Sequence, residues 1–179
     1  LLAVQEHPNG IAERIDSLIQ ANAGVRLDLG CGNNRQTGFI GLDMRPGDGV
    51  DIVHDLETSP WPLPDSCAWL VLASHLVEHI NPTRGGFLRF MDEIWRLMMV
   101  GGQLAISTPY AGSPGYWQDP THCNGCNEAT WVYFDPEHVS KLWTIYKPKP
   151  WKLTQVTFQV IGNMEVILHK RAEADSYGE

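Results

Sequence analysis

The chain is poor in cysteine: Cys31, Cys67, Cys123 and Cys126 are the only four among 179 residues. Thiols so few and so scattered exclude a disulfide-built scaffold in a chain of this size, and reduced thiols are the expected state. Basic residues are also short, 13 Lys and Arg against 21 Asp and Glu, for a net charge of −8 and a pI of about 5.3. Such a chain has no overall basic footprint for a polyanion, which disfavours nucleic acid as a substrate. It contains no long apolar run, so no membrane span is expected, and no secretory pattern opens it, so a soluble cytoplasmic protein is expected. Repeats and low-complexity tracts are lacking as well. What remains is an ordinary globular composition, 43% hydrophobic and 19% charged. That is enough for one domain with a full core, and we read residues 1–179 as a single domain.

The most informative stretch is Val25-Arg26-Leu27-Asp28-Leu29-Gly30-Cys31-Gly32. A short apolar run with an acid near its end, breaking into alternating glycines, reads as a buried strand that stops where a ligand approaches backbone. A second apolar run, Ile40-Gly41-Leu42, ends in Asp43, where the second strand of a nucleotide-binding sheet presents a carboxylate to ribose hydroxyls. A third run, residues 50–53, is closed by His54-Asp55-Leu56.

Connection lengths then constrain the architecture. Only residues 33–38 join the first two strands, and six residues span at most about 20 Å, whereas a parallel crossover normally takes a dozen or more with a helix. Residues 44–49 are equally short and carry Pro46 and two glycines. The first two crossover helices are therefore expected to be reduced or absent. One sheet face is then left to the N-terminal helical segment within residues 1–24, or to a second subunit in a homodimer. Ile11, Ile15, Leu18 and Ile19 recur at helical spacing over residues 11–22, while residues 1–9 read as a poorly ordered leader.

Further along, residues 69–73 are a continuous apolar run and read as a central strand. Residues 84–99 carry an apolar face and read as a long helix stopped by Gly101-Gly102, and residues 103–108 form the next strand. Residues 110–127 are long, irregular and rich in glycine and proline, and are taken as a substrate-side loop. A helix over residues 136–146 begins at Pro136. A terminal hairpin of residues 152–161 and 164–170 turns at Gly162-Asn163. The expected fold is α/β: a Rossmann-like three-layer sandwich around a mostly parallel seven-stranded sheet with an antiparallel terminal hairpin. Trp61, Trp117 and Trp131 fall in loops or at element ends, where packing is the preferred reading over a pocket role.

Taken together, these motifs resemble the class I S-adenosylmethionine-dependent methyltransferases, in particular the small type 11-like members whose first motif is written Leu-Asp-Leu-Gly-Cys-Gly. The resemblance runs over residues 25–110, through Leu63-Pro64-Asp65-Ser66, Ala73-Ser74-His75-Leu76-Val77-Glu78-His79-Ile80 and Gly101-Gly102-Gln103-Leu104. It departs in two places, with Asn34 where the third motif glycine stands and Met99-Val100 where Lys-Pro precedes the glycine pair. It implies S-adenosylmethionine as cofactor. Asp28, Gly30 and Gly32 shape the methionine and ribose site, Asp43 accepts the ribose hydroxyls, Asp55 and Leu56 contact adenine, and Cys31, Met44 and Ser74 complete the set.

On the acceptor side His75 follows the fourth strand directly, with His79 one helical turn later, and an imidazole suits removal of a proton from a hydroxyl. Asp119-Pro120-Thr121-His122 resembles a segment of methyltransferases from sugar and cell-surface glycan pathways, which makes His122, oriented by Asp119, a second candidate base. The reading is O-methylation of a small-molecule or glycan-type acceptor. The alternatives are a silent cofactor-binding accessory module and an NAD-type dinucleotide fold, which the missing third glycine disfavours. Cys123 and Cys126 have metal-ligand spacing but lack a second pair, so His138 or His7 would have to complete a zinc site. The expectation is no metal.

Overall fold

The computed structural model describes residues 8–21 and 23–172. Seven strands form one sheet: β1 (Val25–Leu29), β2 (Ile40–Asp43), β3 (Ile52–Val53), β4 (Ala68–Ser74), β5 (Met98–Pro109), β6 (Trp151–Phe158) and β7 (Asn163–Lys170). Their order is β3-β2-β1-β4-β5-β7-β6. The first five strands run parallel, β7 runs antiparallel to β5, and β6 pairs antiparallel to β7. This is the Rossmann-like α/β architecture expected, terminal hairpin included. Strand order reverses at β1 and β4, so the crevice beyond their carboxyl ends is the place where such sheets bind ligands.

Helix α1 (Pro8–Gln20) buries Ile11 and Ile15 in the same apolar cluster as Val25 and Leu27. Of the leader expected over residues 1–9, residues 1–7 lie outside the described residues, and Pro8 and Asn9 already belong to α1. Helix α2 (Gly86–Leu97) seats Phe87, Phe90, Met91 and Ile94 in that cluster, so both amphipathic faces foreseen at the sequence level meet one core. Trp61 and Trp131 pack into it, whereas Trp117 stands 76% exposed. Among the described residues no helix is long and apolar enough to cross a membrane.

Neither of the first two crossovers contains a helix. Carboxylates and glycines hold these connections instead. Asp28 accepts from Gln36 N at 2.8 Å, and Asp51 accepts from Gly41 N at 2.7 Å and pairs with Arg35. The two loops are pressed together so closely that a Cβ on Gly49 would sit 2.8 Å from the Gly32 carbonyl oxygen and 3.1 Å from Arg35 N. A missing helix is thus replaced by two loops that lean on each other.

Two expectations are corrected. Helix α2 ends at Leu97 and Met98 is already extended, so Gly101 and Gly102 lie inside β5. They occupy the bulge where β5 shifts register against β4, with Gly101 at φ +79°. The helix expected over residues 136–146 is confined to α5 (Trp143–Tyr146). Upstream, Asp135 accepts from Glu137 N at 3.0 Å, His138 Nδ1 binds the Ser140 hydroxyl at 2.9 Å, and Lys141 turns to φ +56°. Side chains that bind nearby backbone compete with helix, and here they win.

The substrate-side loop is less irregular than expected. It contains the single turn α3 (Pro114–Trp117), capped by Ser113. It leads into α4 (Glu128–Val132), whose cap is a reciprocal pair between Asn127 and Thr130. The terminal hairpin forms, but β6 ends at Phe158, so the turn spans residues 159–162, with Gly162 at φ +93° and Asn163 already in β7.

Candidate active site

A cleft of about 660 Å³ opens beyond the carboxyl ends of β1, β2 and β4. Its size falls in the range of small-molecule sites. Gly30 and Gly32, both with positive φ, form its floor after β1. At Gly30 a Cβ would meet Leu76 Cδ1 at 2.9 Å, whereas one on Gly32 would meet nothing within 4 Å, so Gly32 leaves its backbone open to a bound group.

Asp43 ends β2 on the cleft wall. Its Oδ2 accepts from Gly32 N at 3.0 Å and its Oδ1 from Arg45 N at 3.0 Å, so the carboxylate locks the glycine turn to the second strand. Beyond it, Asp55 accepts from Glu57 N at 2.9 Å and Leu56 is buried. Met44, Asp55 and Leu56 all line the cleft, as do Gly30, Gly32 and Asp43.

Three residues of the expected cofactor set stand outside the lining. Asp28 is buried and holds Gln36; burial pushes its carboxyl upward, against the lowering effects of the Gln36 hydrogen bond and the Arg35 charge. Cys31 faces the Gly49 carbonyl at 3.3 Å, and burial, with the charges of Asp28, Asp43 and Asp51, pushes its thiol up to about 12. Ser74 is exposed at the end of β4.

On the acceptor side His75 lines the cleft, half exposed, immediately after β4. It adopts φ +51°, a conformation that disfavours a side chain, and its N–H donates to the Ser107 carbonyl at 2.8 Å. Such strain in a cleft marks a position where geometry outweighs local stability. Its Nε2 lies 3.1 Å from Asn163 Nδ2 and its Nδ1 lies 3.3 Å from Glu78 Oε1. His79 and Thr121 also reach the cleft.

His122 sits behind this wall with its side chain 7% exposed. Its Nδ1 bonds the Tyr116 carbonyl at 2.7 Å, which fixes the ring, while Asp119 Oδ2 is 3.9 Å from Nε2. Asp119 instead holds Thr121, and those two hydrogen bonds keep its carboxyl below the usual range. The loop is pinned under the wall by Cys123 N and Asn124 N, which both donate to the Glu78 carbonyl at 2.9 and 3.0 Å.

Arg45, Glu57 and Ile80 line the cleft, and their sequence context assigns them no role. Their only signal is a place one or two residues past a strand end or turn. The sequence assigns Glu78 no role either. Cys126 is buried, and Cys123 is exposed with its thiol turned to the His79 carbonyl at 3.3 Å. Among the described residues no cluster of metal-ligand side chains includes a cysteine, and His7 lies outside them.

No protein-family model and no curated protein sequence matches the chain. Solved structures do. A SAM-dependent methyltransferase from Archaeoglobus fulgidus superposes with a TM-score of 0.58 at 18% identity, covering 93% of this chain and 96% of that one. The methyltransferase solved in complex with the Trm112 activator of Haloferax volcanii gives 0.59 at 12% identity, over 92% and 94%. A 16S rRNA (adenine(1408)-N(1))-methyltransferase from Catenulisporales acidiphilia, solved with cosubstrate SAM, gives 0.58 at 13% identity, over 96% and 94%. Near-complete coverage in both directions at such low identity is a likeness of fold, and the chain has the fold of the class I SAM-dependent methyltransferases.

Proposed function

We propose that this protein is an S-adenosylmethionine-dependent methyltransferase that methylates an oxygen of a small-molecule or glycan-type acceptor. The observation that carries the donor assignment is Asp43: a carboxylate at the end of β2, locked to the Gly32 turn and facing a cleft at the sheet's switch point. The open space over Gly32 fits the approach of a ligand's polar groups to backbone.

Bound S-adenosylmethionine supplies a methyl group already activated by the positive charge of its sulfur. The chain's own task is to hold donor and acceptor in line. Gly30 and Gly32 give backbone access, Asp43 accepts ribose hydroxyls, and Asp55 and Leu56 flank the adenine end. His75 is placed to take a proton from an acceptor hydroxyl, and the strained turn with its Ser107 hydrogen bond fixes where the ring sits. The dinucleotide reading is not favoured, because no helix follows the glycine turn to receive a pyrophosphate on its N-terminus.

The test is calorimetric titration of S-adenosylhomocysteine into the protein with Asp43→Ala beside it. Two charged hydrogen bonds to a ribose contribute about 1.5–3 kcal/mol each, so the variant should lose roughly 100-fold or more in affinity. Equal affinity in both proteins, or no saturable binding to the wild type, would overturn the donor assignment. His75→Ala should then lower turnover by about 100-fold without weakening S-adenosylhomocysteine.

A further inference from the structure

Behind the cleft wall, Glu78, His79 and His122 each bring one ligand atom within 4.8 Å of the others. Glu78 is fully buried, and its Oε2 accepts from the Thr108 hydroxyl at 3.1 Å. Its Oε1 has no hydrogen-bond partner, since His75 Nδ1 at 3.3 Å lies outside hydrogen-bonding geometry. A buried carboxylate oxygen with no aligned donor is costly and calls for a cation or water beside it, since the His75 ring reaches it only as a loose ion pair.

The two imidazoles are poised with matching tautomers. A carbonyl only accepts, so His122 Nδ1 carries its hydrogen to Tyr116 O and its Nε2 keeps a lone pair. The Thr121 hydroxyl gives its proton to Asp119 Oδ1 at 2.7 Å, so its oxygen accepts from His79 Nδ1 at 3.0 Å and His79 Nε2 keeps a lone pair too. The rings meet edge to face, with centroids 4.8 Å apart. An imidazole whose Nδ1–H is held by a carbonyl or hydroxyl, leaving Nε2 free, is the arrangement that metal-binding histidines adopt.

We infer that Glu78, His79 and His122 bind a divalent first-row transition ion, Zn²⁺ or one of similar softness, at the acceptor end of the cleft. Two imidazoles and one carboxylate suit such an ion better than Mg²⁺ or Ca²⁺, which favour all-oxygen ligands. Bonds of about 2.0–2.2 Å put neighbouring donors roughly 3–3.6 Å apart, so the three side chains draw inward on loading. Three protein ligands leave a position open. His79 is the ligand that faces the cleft, so that position takes an oxygen ligand from the cleft side. The metal site stands without the methyl-transfer reading; under that reading the oxygen is the acceptor hydroxyl, whose proton a metal ion makes easier to remove.

The test uses chelator-stripped full-length protein titrated with Co²⁺, followed by its visible absorption, then displaced with Zn²⁺. Expected are one Co²⁺ per chain and roughly 100-fold weaker binding in His79→Ala, whose half-buried side chain at the cleft edge can be removed without opening the core. His122→Ala should behave alike. Thr121→Ala, which frees the His79 ring, should weaken binding about tenfold, and Cys123→Ser should leave it unchanged. No Co²⁺ spectrum in the wild type, equal binding by His79→Ala, or loss in Cys123→Ser would each overturn the site. Titration of the same stripped protein with S-adenosylhomocysteine separates the two readings: donor binding without a cobalt spectrum sinks the metal site alone, and the converse sinks the donor reading alone.

Discussion

The two halves of the cleft are built by different means. On the side proposed to hold the donor, buried or half-buried carboxylates at or beside strand ends accept backbone N–H groups from neighbouring segments: Asp28 from Gln36 and Asp43 from Gly32 in the loop after β1, and Asp51 from Gly41 in β2. On the acceptor side, the long loop hangs from backbone carbonyls of a short 3-10 turn, Val77–His79. Glu78 O receives two N–H groups and Val77 O receives Asn124 Nδ2 at 2.9 Å. The donor wall therefore depends on a few acids whose loss should affect shape and ligand affinity together. The opposite wall is held mostly by main chain, and the side chains that line it, among them His75, His79 and Thr121, are not what hangs the loop.

That contrast can be broken by mutation. The largest effect is expected at Gly41, where a Cβ would meet Gly49 O at 2.3 Å, Cys31 Sγ at 2.7 Å and Arg35 Cδ at 3.0 Å. Two of these atoms belong to loops that have nowhere to go, so Gly41→Ala should cost about 3 kcal/mol in urea unfolding and weaken S-adenosylhomocysteine at the same time. Asp51→Asn comes next. It keeps an acceptor for Gly41 N but loses the Arg35 ion pair, in a half-buried setting, at about 1–2 kcal/mol. Its ligand affinity should fall by severalfold, because the loop it steadies carries Gly32.

Asn124→Ala is the counterpart on the acceptor side. It removes one buried hydrogen bond, to Val77 O, and should cost about 1 kcal/mol in stability. Donor affinity should stay within about twofold of wild type. If Asn124→Ala weakened the donor as much as Asp51→Asn, the two halves would be one mechanical unit and the contrast would be lost.

The same division explains what could be read in advance. The places of Gly30, Gly32, Asp43 and Asp55 at the cleft were legible because each follows a strand that its own apolar run announces. The missing crossover helices followed from chain length alone. The residues that hold those crossovers did not, because nothing in the sequence says that Asp51 turns back to Gly41 rather than out to solvent. The helix over residues 136–146 was misread because three polar side chains, at Asp135, His138 and Ser140, bind locally, and propensity does not weigh that competition. In the sequence His79 and His122 stand 43 residues apart. Their meeting depends on a loop that folds back across the 3-10 turn, and the place of Glu78 beside them depends on complete burial; neither leaves a periodic trace.

The smallest effect is expected at Cys31, and its smallness is informative. The first-motif resemblance places this cysteine with the cofactor, yet its sulfur points away from the cleft to Gly49 O, among three carboxylates. Its thiol is pushed up to about 12, and Cys67 to about 11 and Cys126 to about 12, chiefly by burial. At pH 8 a thiol of pKa 12 is ionised to only about 1 part in 10⁴. In the native protein, alkylation should therefore mark Cys123 alone, the one exposed thiol. Because burial and the Glu57 charge raise that thiol too, its rate should still climb steeply between pH 8 and 10. Mass spectrometry of timed samples measures both. Cys31 labelled as fast as Cys123 would mean that the donor loops open freely, so that the carboxylate anchors do not hold them. A silent Cys31 in a protein whose Cys31→Ala variant binds S-adenosylhomocysteine within about twofold of wild type would place its contribution in the packing between the two short loops, beneath the ligand rather than against it.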